Sequence, residues 1–216
     1  MTSENTNVIN ESFITDHDIY LFREGNHFRL YDKLGAHPGT HDNRPGTHFA
    51  VWAPNAKSVS VIGDFNYWDP QSHPLSVRLD GSGIWEGFIP DLIKGQLYKY
   101  HIVSHNNNYT VDKGDPYGHM WELPPKTASV IWDLEYDWQD QDWRDQQAKR
   151  KHNPEPMSVY EVHLGSWRRN ADSPDEFMNY RQIAHELADY VKEMGFTHVE
   201  FLPVMEHPFY GSWGYQ

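Results

Sequence analysis

The residues of this chain that are best suited to chemistry are aromatic side chains interleaved with glycine, and they are densest at residues 206–216. This stretch reads EHPFYGSWGYQ and follows an apolar segment that ends near Val204. An exposed aromatic ring offers a flat face that packs well against the apolar C–H surface of a sugar ring. The whole chain contains 9 Trp, 13 Tyr and 10 Phe, and packing inside a core is the alternative role for many of these rings.

Charge and the remaining reactive side chains argue against several classes of function. The formal net charge of −13 would repel a polyphosphate, so we expect no nucleic-acid partner. The 14 histidines are scattered, with no His-x-x-x-His pair on a predicted helix beside a carboxylate, and cysteine is absent; hence we expect no metal site and no disulfide. No apolar run reaches the roughly 18 residues of a membrane helix, and the first ten residues do not resemble a signal peptide. We therefore expect no membrane partner and a cytoplasmic location.

Residues 41–138 show the period-two pattern of a β sandwich. Val59 and Val61 alternate with Ser58 and Ser60, and a similar alternation recurs around residues 85–89 and 98–103. Clusters of Gly, Asn and Asp separate these runs and are typical of hairpin turns. The pattern predicts a mainly β, immunoglobulin-like sandwich, preceded at 1–40 by a lead-in segment with a short helix or hairpin at 16–34.

The composition changes at residues 139–156, where Asp, Gln, Lys and Arg predominate before the sequence NPEP. A polar stretch closed by two prolines predicts an inter-domain linker, and a short solvated helix at a sheet edge is the other interpretation. Residues 157–216 then read as strand, helix and strand, with a capping-box pattern at Asn179 and Gln182 and a helix-ending Gly195. This order predicts a βαβ unit. The apolar residues expected on one stripe of its helix are Ile183, Ala184, Leu187, Ala188, Val191 and Met194.

Several motifs of this chain resemble those of known families. The FAVWAPNA sequence at 49–56 and VSVIGDFNYWD at 59–69 resemble the β-sandwich carbohydrate-binding module that precedes the barrel in glycogen branching and debranching enzymes. The YEVHLGSW sequence at 160–167 and MGFTHVEFLP at 194–203 resemble the start of the α-amylase superfamily barrel. The motifs LGSW, GSWGYQ and, at 31–37, YDKLGAH are similar to those of bacterial glycogen branching enzymes. The resemblance covers about residues 16–216.

The resemblance implies a fold and a reaction. The fold would be a sandwich followed by the first βαβ unit of an incomplete TIM (β/α)8 barrel, whose substrate site lies at the carboxyl ends of the strands. The reaction would cut an α-1,4-glucan, hold it as a covalent glycosyl-enzyme and pass it to a 6-hydroxyl, which is a retaining mechanism. No cofactor is implied, and the expected partner is an α-glucan such as glycogen. A debranching hydrolase and a free-standing glycogen-binding module are the alternative functions.

The three acidic catalytic residues of the family lie on later barrel strands and match no position of this chain. We therefore expect no catalytic residue in the chain and no activity from the chain alone, which would be an amino-terminal fragment. A retaining enzyme needs two carboxyl groups about 5–5.5 Å apart across the scissile bond. Glu161 and Glu200 fall inside the two predicted barrel strands, where we expect structural roles for them, paired with His163 or His198.

Four residues are carried over from the family as substrate-binding residues. Tyr215 matches the tyrosine that packs against the sugar at the cleavage point, and packing within its own loop is the alternative role. Trp68 matches the tryptophan that stacks on glucose in glycogen-binding modules, with a core position as the alternative. Lys99 and Tyr109 fall near the accompanying lysine and second aromatic residue, and the polar residues at 105–108 leave the register of Tyr109 open.

Overall fold

The computed structural model describes residues 7–123, 125–150, 156–170, 177–205 and 210–215. They form two compact units that divide between Glu135 and Tyr136. We call the first the sandwich unit and the second the βαβ unit. Residues 151–155 of the predicted linker, and residues 206–209 and Gln216 of the aromatic stretch, lie outside the described residues. The domain limits given above remain predictions.

The sandwich unit consists of one short helix and two antiparallel sheets. The first sheet has the strand order β1-β2-β5-β4 and the second has the order β3-β6-β9-β8, with β7 also paired to β6. The elements in chain order are α1 (Asp16–Arg23), β1 (Gly35–His41), β2 (Arg44–Trp52), β3 (Ala56–Gly63), β4 (Ser76–Val77), β5 (Ile84–Pro90), β6 (Leu97–Ser104), β7 (Thr110–Lys113), β8 (Met120–Trp121) and β9 (Ser129–Val130). Short 3-10 turns lie at Leu30–Asp32 and Asp64–Asn66.

The core lies between the two sheets. Val59 and Val61 of β3 and Tyr98 and Tyr100 of β6 are fully buried, and they belong to one apolar cluster with Phe49 of the facing sheet. Side chains of alternate residues from two sheets therefore fill a common interior, as in other β sandwiches. The predicted mainly β sandwich is confirmed.

The lead-in segment is an integral part of the sandwich unit. Its first strand, β1, pairs with β2 from Gly35 opposite Ala50 to His41 opposite Arg44, although the sequence pattern did not predict a strand there. The reason is that β1 lies at a sheet edge, where Pro38 is tolerated and apolar alternation is not required.

Residues before β1 also pack on the sandwich. The backbone groups of Ile9 exchange hydrogen bonds of 2.8 and 2.9 Å with those of Phe88. Ile14, two residues before α1, and Ile19, within it, are buried in a cluster with Ile84. Of the short helix or hairpin predicted at 16–34, the structure has the helix, and its apolar face is covered by the first sheet.

The βαβ unit contains two parallel strands joined through a helix. Its elements are α2 (Gln141–Arg150), β10 (Val159–Val162), α3 (Leu164–Trp167), α4 (Tyr180–Glu193) and β11 (His198–Phe201), followed by a 3-10 turn at Tyr210–Ser212. The register of β10 and β11 runs from Val159 opposite His198 to Val162 opposite Phe201. The parallel βαβ prediction is confirmed. No helix in the described part of the chain is long and apolar enough to cross a membrane.

Helix α4 begins and ends as its sequence predicts. The Asn179 side chain accepts a 3.0 Å hydrogen bond from the Gln182 N–H, and the Gln182 side chain accepts one of 3.0 Å from the Asn179 N–H. Gly195 follows the helix in the left-handed conformation, with φ +79°. These groups satisfy backbone donors and carbonyls that a helix end leaves open.

The buried stripe of α4 is narrower than predicted. Ile183 and Leu187 are buried, whereas Ala184, Ala188 and Met194 are exposed. Two strands offer a surface wide enough to cover only the central line of the helix, which explains the difference. The polar helix α2, within the predicted linker, is largely exposed to solvent.

Candidate functional site

The loop that follows β3 presents two aromatic rings at the surface of the sandwich unit. Tyr67 and Trp68 both have left-handed backbones, with φ of +55° and +60°. Bulky residues rarely adopt this conformation, which costs about 1–3 kcal/mol and persists only where the surroundings enforce it. Tyr67 is 93% exposed and Trp68 is 36% exposed. Trp68 therefore lies at the surface and not in the core.

The buried side chain of Asn66 holds this loop in place. Its Oδ1 accepts a 2.9 Å hydrogen bond from the Gly63 N–H, and its Nδ2 donates one of 3.0 Å to the Val61 carbonyl. The same Nδ2 lies 2.9 Å from His73 Nδ1. Gly63 admits no larger residue, because a Cβ there would collide with the Leu97 carbonyl oxygen. One amide group thus ties the loop to β3 and fixes the unusual backbone beyond it.

Trp68 is held by one hydrogen bond of its ring and one of its backbone. Its indole N–H donates to Asp64 Oδ1 at 2.8 Å, and its backbone N–H donates to the Gly63 carbonyl at 2.9 Å. With its polar group already bonded, the exposed part of the indole is a flat apolar surface of fixed orientation. Such a surface can stack on a sugar ring with little loss of side-chain entropy.

Strand β6 separates Lys99 from Tyr109. Lys99 is the register partner of Ile62, one residue before the end of β3, which the Trp68 loop follows. Tyr109 accepts a 2.8 Å backbone hydrogen bond from Ser104, which lies five residues beyond Lys99. At about 3.3 Å per residue this separation is roughly 16 Å. Lys99 therefore lies toward the end of β6 that pairs with the last residues of β3, whereas Tyr109, 63% exposed, lies at the opposite end of β6.

The hairpin of β6 and β7 fixes the register that the sequence left open. Asp112 is the register partner of His101, and the His101 ring nitrogen Nδ1 lies 2.7 Å from Asp112 Oδ1. Lys99 Nζ donates a 2.8 Å hydrogen bond to Thr127 Oγ1. The strand positions nearest to Lys99 on β7 are therefore polar, and Tyr109 lies before the strand begins.

A buried hydrogen-bond network supports β6 from the inside. The hydroxyls of Tyr98 and Tyr100 donate to Asp115 Oδ2 at 2.7 and 3.0 Å. The Tyr117 N–H donates to Oδ1, and the Asp115 N–H donates to Ser129 Oγ, both at 2.8 Å. Burial raises the pKa of Asp115, against the lowering effect of these hydrogen bonds, and burial also raises the pKa of both tyrosines well above the usual value. The network fixes the strand that carries Lys99.

In the βαβ unit, two loops meet beyond the carboxyl ends of β10 and β11. His163 follows β10, and its ring stacks on that of Trp213 with a centroid distance of 4.8 Å and an interplanar angle of 25°. Tyr215, two residues further on, is 73% exposed. The sequence predicts a substrate contact for Tyr215, which remains a prediction, and did not predict the contact between His163 and Trp213. The available signals were a histidine at a strand end and a tryptophan beside glycine.

The two strand glutamates do not form the expected pairs. Glu161 and Glu200 are register partners on adjacent parallel strands, and both are exposed. The ring nitrogen Nδ1 of His198 bonds to Thr197 Oγ1 at 2.8 Å. In the ranges that the structure describes, no ion pair joins either glutamate to His163 or His198, so that prediction was wrong. Within the same ranges, no group of three or more His, Asp or Glu side chains is arranged to hold a metal ion.

The chain is similar in sequence to one protein-family model and to several curated enzymes. Residues 33–118 match the model of carbohydrate-binding module 48, described as the isoamylase N-terminal domain. The 1,4-alpha-glucan branching enzyme of Albidiferax ferrireducens is 56% identical over 202 residues, a match that covers 94% of this chain and 31% of that protein. The corresponding enzyme of Aquifex aeolicus is 55% identical, with 95% of this chain and 32% of that protein covered. The chain spans about a third of the length of these curated relatives.

Solved structures support the fold. A Klebsiella pneumoniae pullulanase complexed with maltotriose superimposes with a TM-score of 0.57 at 22% identity, over 81% of this chain and 18% of that one. A pullulanase of GBS in complex with maltotetraose gives a TM-score of 0.56 at 18% identity, over 82% of this chain and 24% of that one. At this level of identity the likeness concerns the fold alone.

Proposed function

We propose that this chain, a homologue of the amino-terminal third of bacterial 1,4-alpha-glucan branching enzymes, contributes the carbohydrate-binding module and the first βαβ unit of the catalytic barrel to such an enzyme. The observation that carries the proposal is the similarity of 56% identity over 94% of the chain, which takes in both units. The parallel strands β10 and β11 with helix α4 support it as well, because a module that only binds glucan has no use for the start of a barrel.

The whole enzyme would transfer segments of an α-1,4-glucan to form α-1,6 branches. A carboxylate attacks the anomeric carbon and displaces the rest of the chain, while a carboxylic acid protonates the leaving oxygen. A 6-hydroxyl of an acceptor glucan then displaces the carboxylate, with the second group accepting its proton. This chain supplies neither of these groups, and its part is to bind glucan and to support the barrel. The reaction belongs to glycogen synthesis, for which we propose a cytoplasmic location.

The proposed glucan contacts fall into two places. In the sandwich unit, the fixed indole of Trp68 supports stacking on glucose. Lys99, the register partner of Ile62 near the end of β3 that precedes the Trp68 loop, would donate hydrogen bonds to sugar hydroxyls. Tyr109 would contact a different part of a long glucan, because it lies at the other end of the strand. In the βαβ unit, the exposed ring of Tyr215 would pack on the sugar at the cleavage point.

A chimera tests the proposal. This chain replaces the matching third of the Aquifex aeolicus 1,4-alpha-glucan branching enzyme, to which it is 55% identical. Incubation with amylose, followed by enzymatic debranching and chain-length analysis, should reveal new α-1,6 branch points. The isolated chain should yield none above a buffer control. A folded but inactive chimera, or branching by the isolated chain, contradicts the proposal.

A free-standing glucan-binding module is the second candidate, and the match of residues 33–118 to carbohydrate-binding module 48 favours it. The same chimera separates the two. A chain that evolved only to bind glucan would not complete a working barrel, so the chimera would fail, while the isolated chain would still be retarded by glycogen in affinity electrophoresis.

A further inference from the structure

We propose that His163 is a positioning residue, which orders the loop at 210–215 by stacking on Trp213 and thereby presents Tyr215 to the glucan. The inference rests on the proposed function, because it assumes that Tyr215 contacts a sugar. The inference assigns a role to a residue that follows β10, whereas Tyr215 lies in the loop after β11, 52 positions later in the chain.

His163 is well placed to act as a fixed support. It directly follows β10, so its backbone is set by a strand that is paired with β11. Its ring nitrogen Nδ1 lies 2.8 Å from Ser166 Oγ, which fixes the ring orientation. Gly165 leaves room for the ring, since a Cβ at that position would come within 3.2 Å of His163 Cε1. The imidazole therefore presents one face in a constant direction at the carboxyl end of the strand.

The loop at 210–215, which carries Trp213, needs a tertiary contact to hold its backbone conformation. Trp213 has φ +56° and Gly214 has φ +82°, and a left-handed tryptophan is costly without tertiary contacts. Local hydrogen bonds close the turn: the Gly214 N–H donates to Ser212 Oγ at 3.3 Å and the Tyr215 N–H donates to the Ser212 carbonyl at 3.1 Å. These bonds shape the turn itself, whereas the contact of Trp213 with His163 ties it to the end of β10.

The ring of Tyr215 is left available by this arrangement. Tyr215 is 73% exposed, so its ring is largely unused by packing within the loop, whereas Trp213 makes a tertiary contact with His163. A ring held in advance in its binding position costs less entropy to bind a ligand than a ring on a mobile loop. His163 therefore anchors the loop through Trp213, and the short turn after Trp213 carries that constraint to Tyr215.

A spectroscopic experiment on the full 216-residue chain tests the anchor. The nine tryptophans are labelled with 5-fluorotryptophan, and the ¹⁹F signal of Trp213 is assigned with Trp213→Phe. His163→Ala should move that signal alone and accelerate amide hydrogen exchange at Gly214 and Tyr215. His163→Phe, which keeps an aromatic face, should restore near wild-type exchange. His185→Ala, an exposed histidine of α4, is the matched control and should change neither readout.

A binding experiment tests the consequence for glucan. Maltoheptaose is titrated into the Trp68→Ala variant of the chain, in which the sandwich unit should contribute less to binding. The further loss of affinity on Tyr215→Ala in this background defines the Tyr215-dependent component of binding. His163→Ala should weaken that component by roughly two- to tenfold, the range of one aromatic contact, and His163→Phe should recover most of it.

The outcomes separate the inference from the proposed function. Binding that depends on Tyr215 but is unchanged in His163→Ala overturns the positioning role and leaves the proposed function standing. An unmoved Trp213 signal in His163→Ala overturns it as well, because the stack would then be absent. If maltoheptaose binding has no Tyr215-dependent component, the proposed glucan contact is wrong and the positioning role is wrong with it.

Discussion

The hydroxyl of Tyr98 donates a 2.7 Å hydrogen bond to the carboxyl group of Asp115, and both residues are fully buried. A carboxyl group without partners in this place would be strongly destabilising. Removal of one donor should therefore be costly. For Tyr98→Phe we expect the free energy of unfolding to fall by about 1.5–3 kcal/mol, the usual value for a hydrogen bond to a charged group. Urea unfolding measures it, with the exposed Tyr136→Phe as control. Equal midpoints for both variants contradict the prediction.

Substitution of Trp68 should weaken glucan binding without unfolding the chain. The ring is partly exposed and bonded to the Asp64 side chain, so Trp68→Ala should cost less than about 1 kcal/mol of stability. Loss of a stacking face should weaken retention on glycogen by up to about tenfold. Affinity electrophoresis together with circular dichroism measures both effects. Trp143→Ala, an exposed tryptophan of α2, is the control. Unchanged retention in a folded Trp68 variant would remove this residue from the site.

Asn66 should affect the same binding without contacting the ligand. Asn66→Ala leaves the Gly63 N–H and the Val61 carbonyl without their side-chain partner, which should lower the free energy of unfolding by about 1–3 kcal/mol. Glucan retention should fall too, because the left-handed backbone at Trp68 loses its anchor. Thermal unfolding and affinity electrophoresis are the measurements, with the exposed Asn106→Ala as the matched control. Normal retention by Asn66→Ala at a temperature where it is folded refutes the anchoring role.

The stability of the sandwich unit should decrease in mild acid through His48. Burial lowers the pKa of His48 below its ordinary value near 6.5, so the folded state binds a proton less readily than the unfolded state. The contribution of His48 to the free energy of unfolding is fully present above the ordinary pKa of the unfolded state. It is lost as the pH falls through the lower pKa of the folded state. His48→Phe keeps a ring against Phe13 and Phe88 and removes the titration.

We therefore expect the urea midpoint to fall less in His48→Phe than in the wild type between about pH 7 and pH 5. His37, whose pKa burial also lowers, remains in the variant and retains part of the effect. His185→Gln, which removes an exposed histidine, is the matched control. An identical fall of the midpoint in His48→Phe and the wild type contradicts the assignment.

Limited proteolysis should yield a resistant fragment that begins before the first strand. The hydrogen bonds between Ile9 and Phe88 and the burial of Ile14 and Ile19 tie the lead-in segment to the sandwich. We expect cleavage within 139–156, where α2 is exposed, and a stable product that starts near residue 8. Mass spectrometry of the product reads its amino terminus. A resistant core that starts near residue 47 would mean that the lead-in segment is only loosely attached.

Features that depend on residues close together in the chain could be predicted from the sequence. Alternation at Val59 and Val61 placed β3 with its apolar face inward, and the side chains of Asn179 and Gln182 marked the start of α4. Period-two alternation and helix capping are rules of local geometry, so the residues involved are only a few positions apart. The order of sandwich strands, polar stretch and βαβ unit follows from the same signals.

Strand pairing and contacts between loops set the relative positions of the proposed binding residues. The separation of Tyr109 from Lys99 follows from strand pairing, and a shift of register changes every neighbour. The stack of His163 on Trp213 joins two loops that are distant in the chain. The left-handed backbone at Trp68 is costly in itself and exists because the buried Asn66 enforces it. Contacts of this kind depend on where whole elements meet, and no local pattern of residues carries that information.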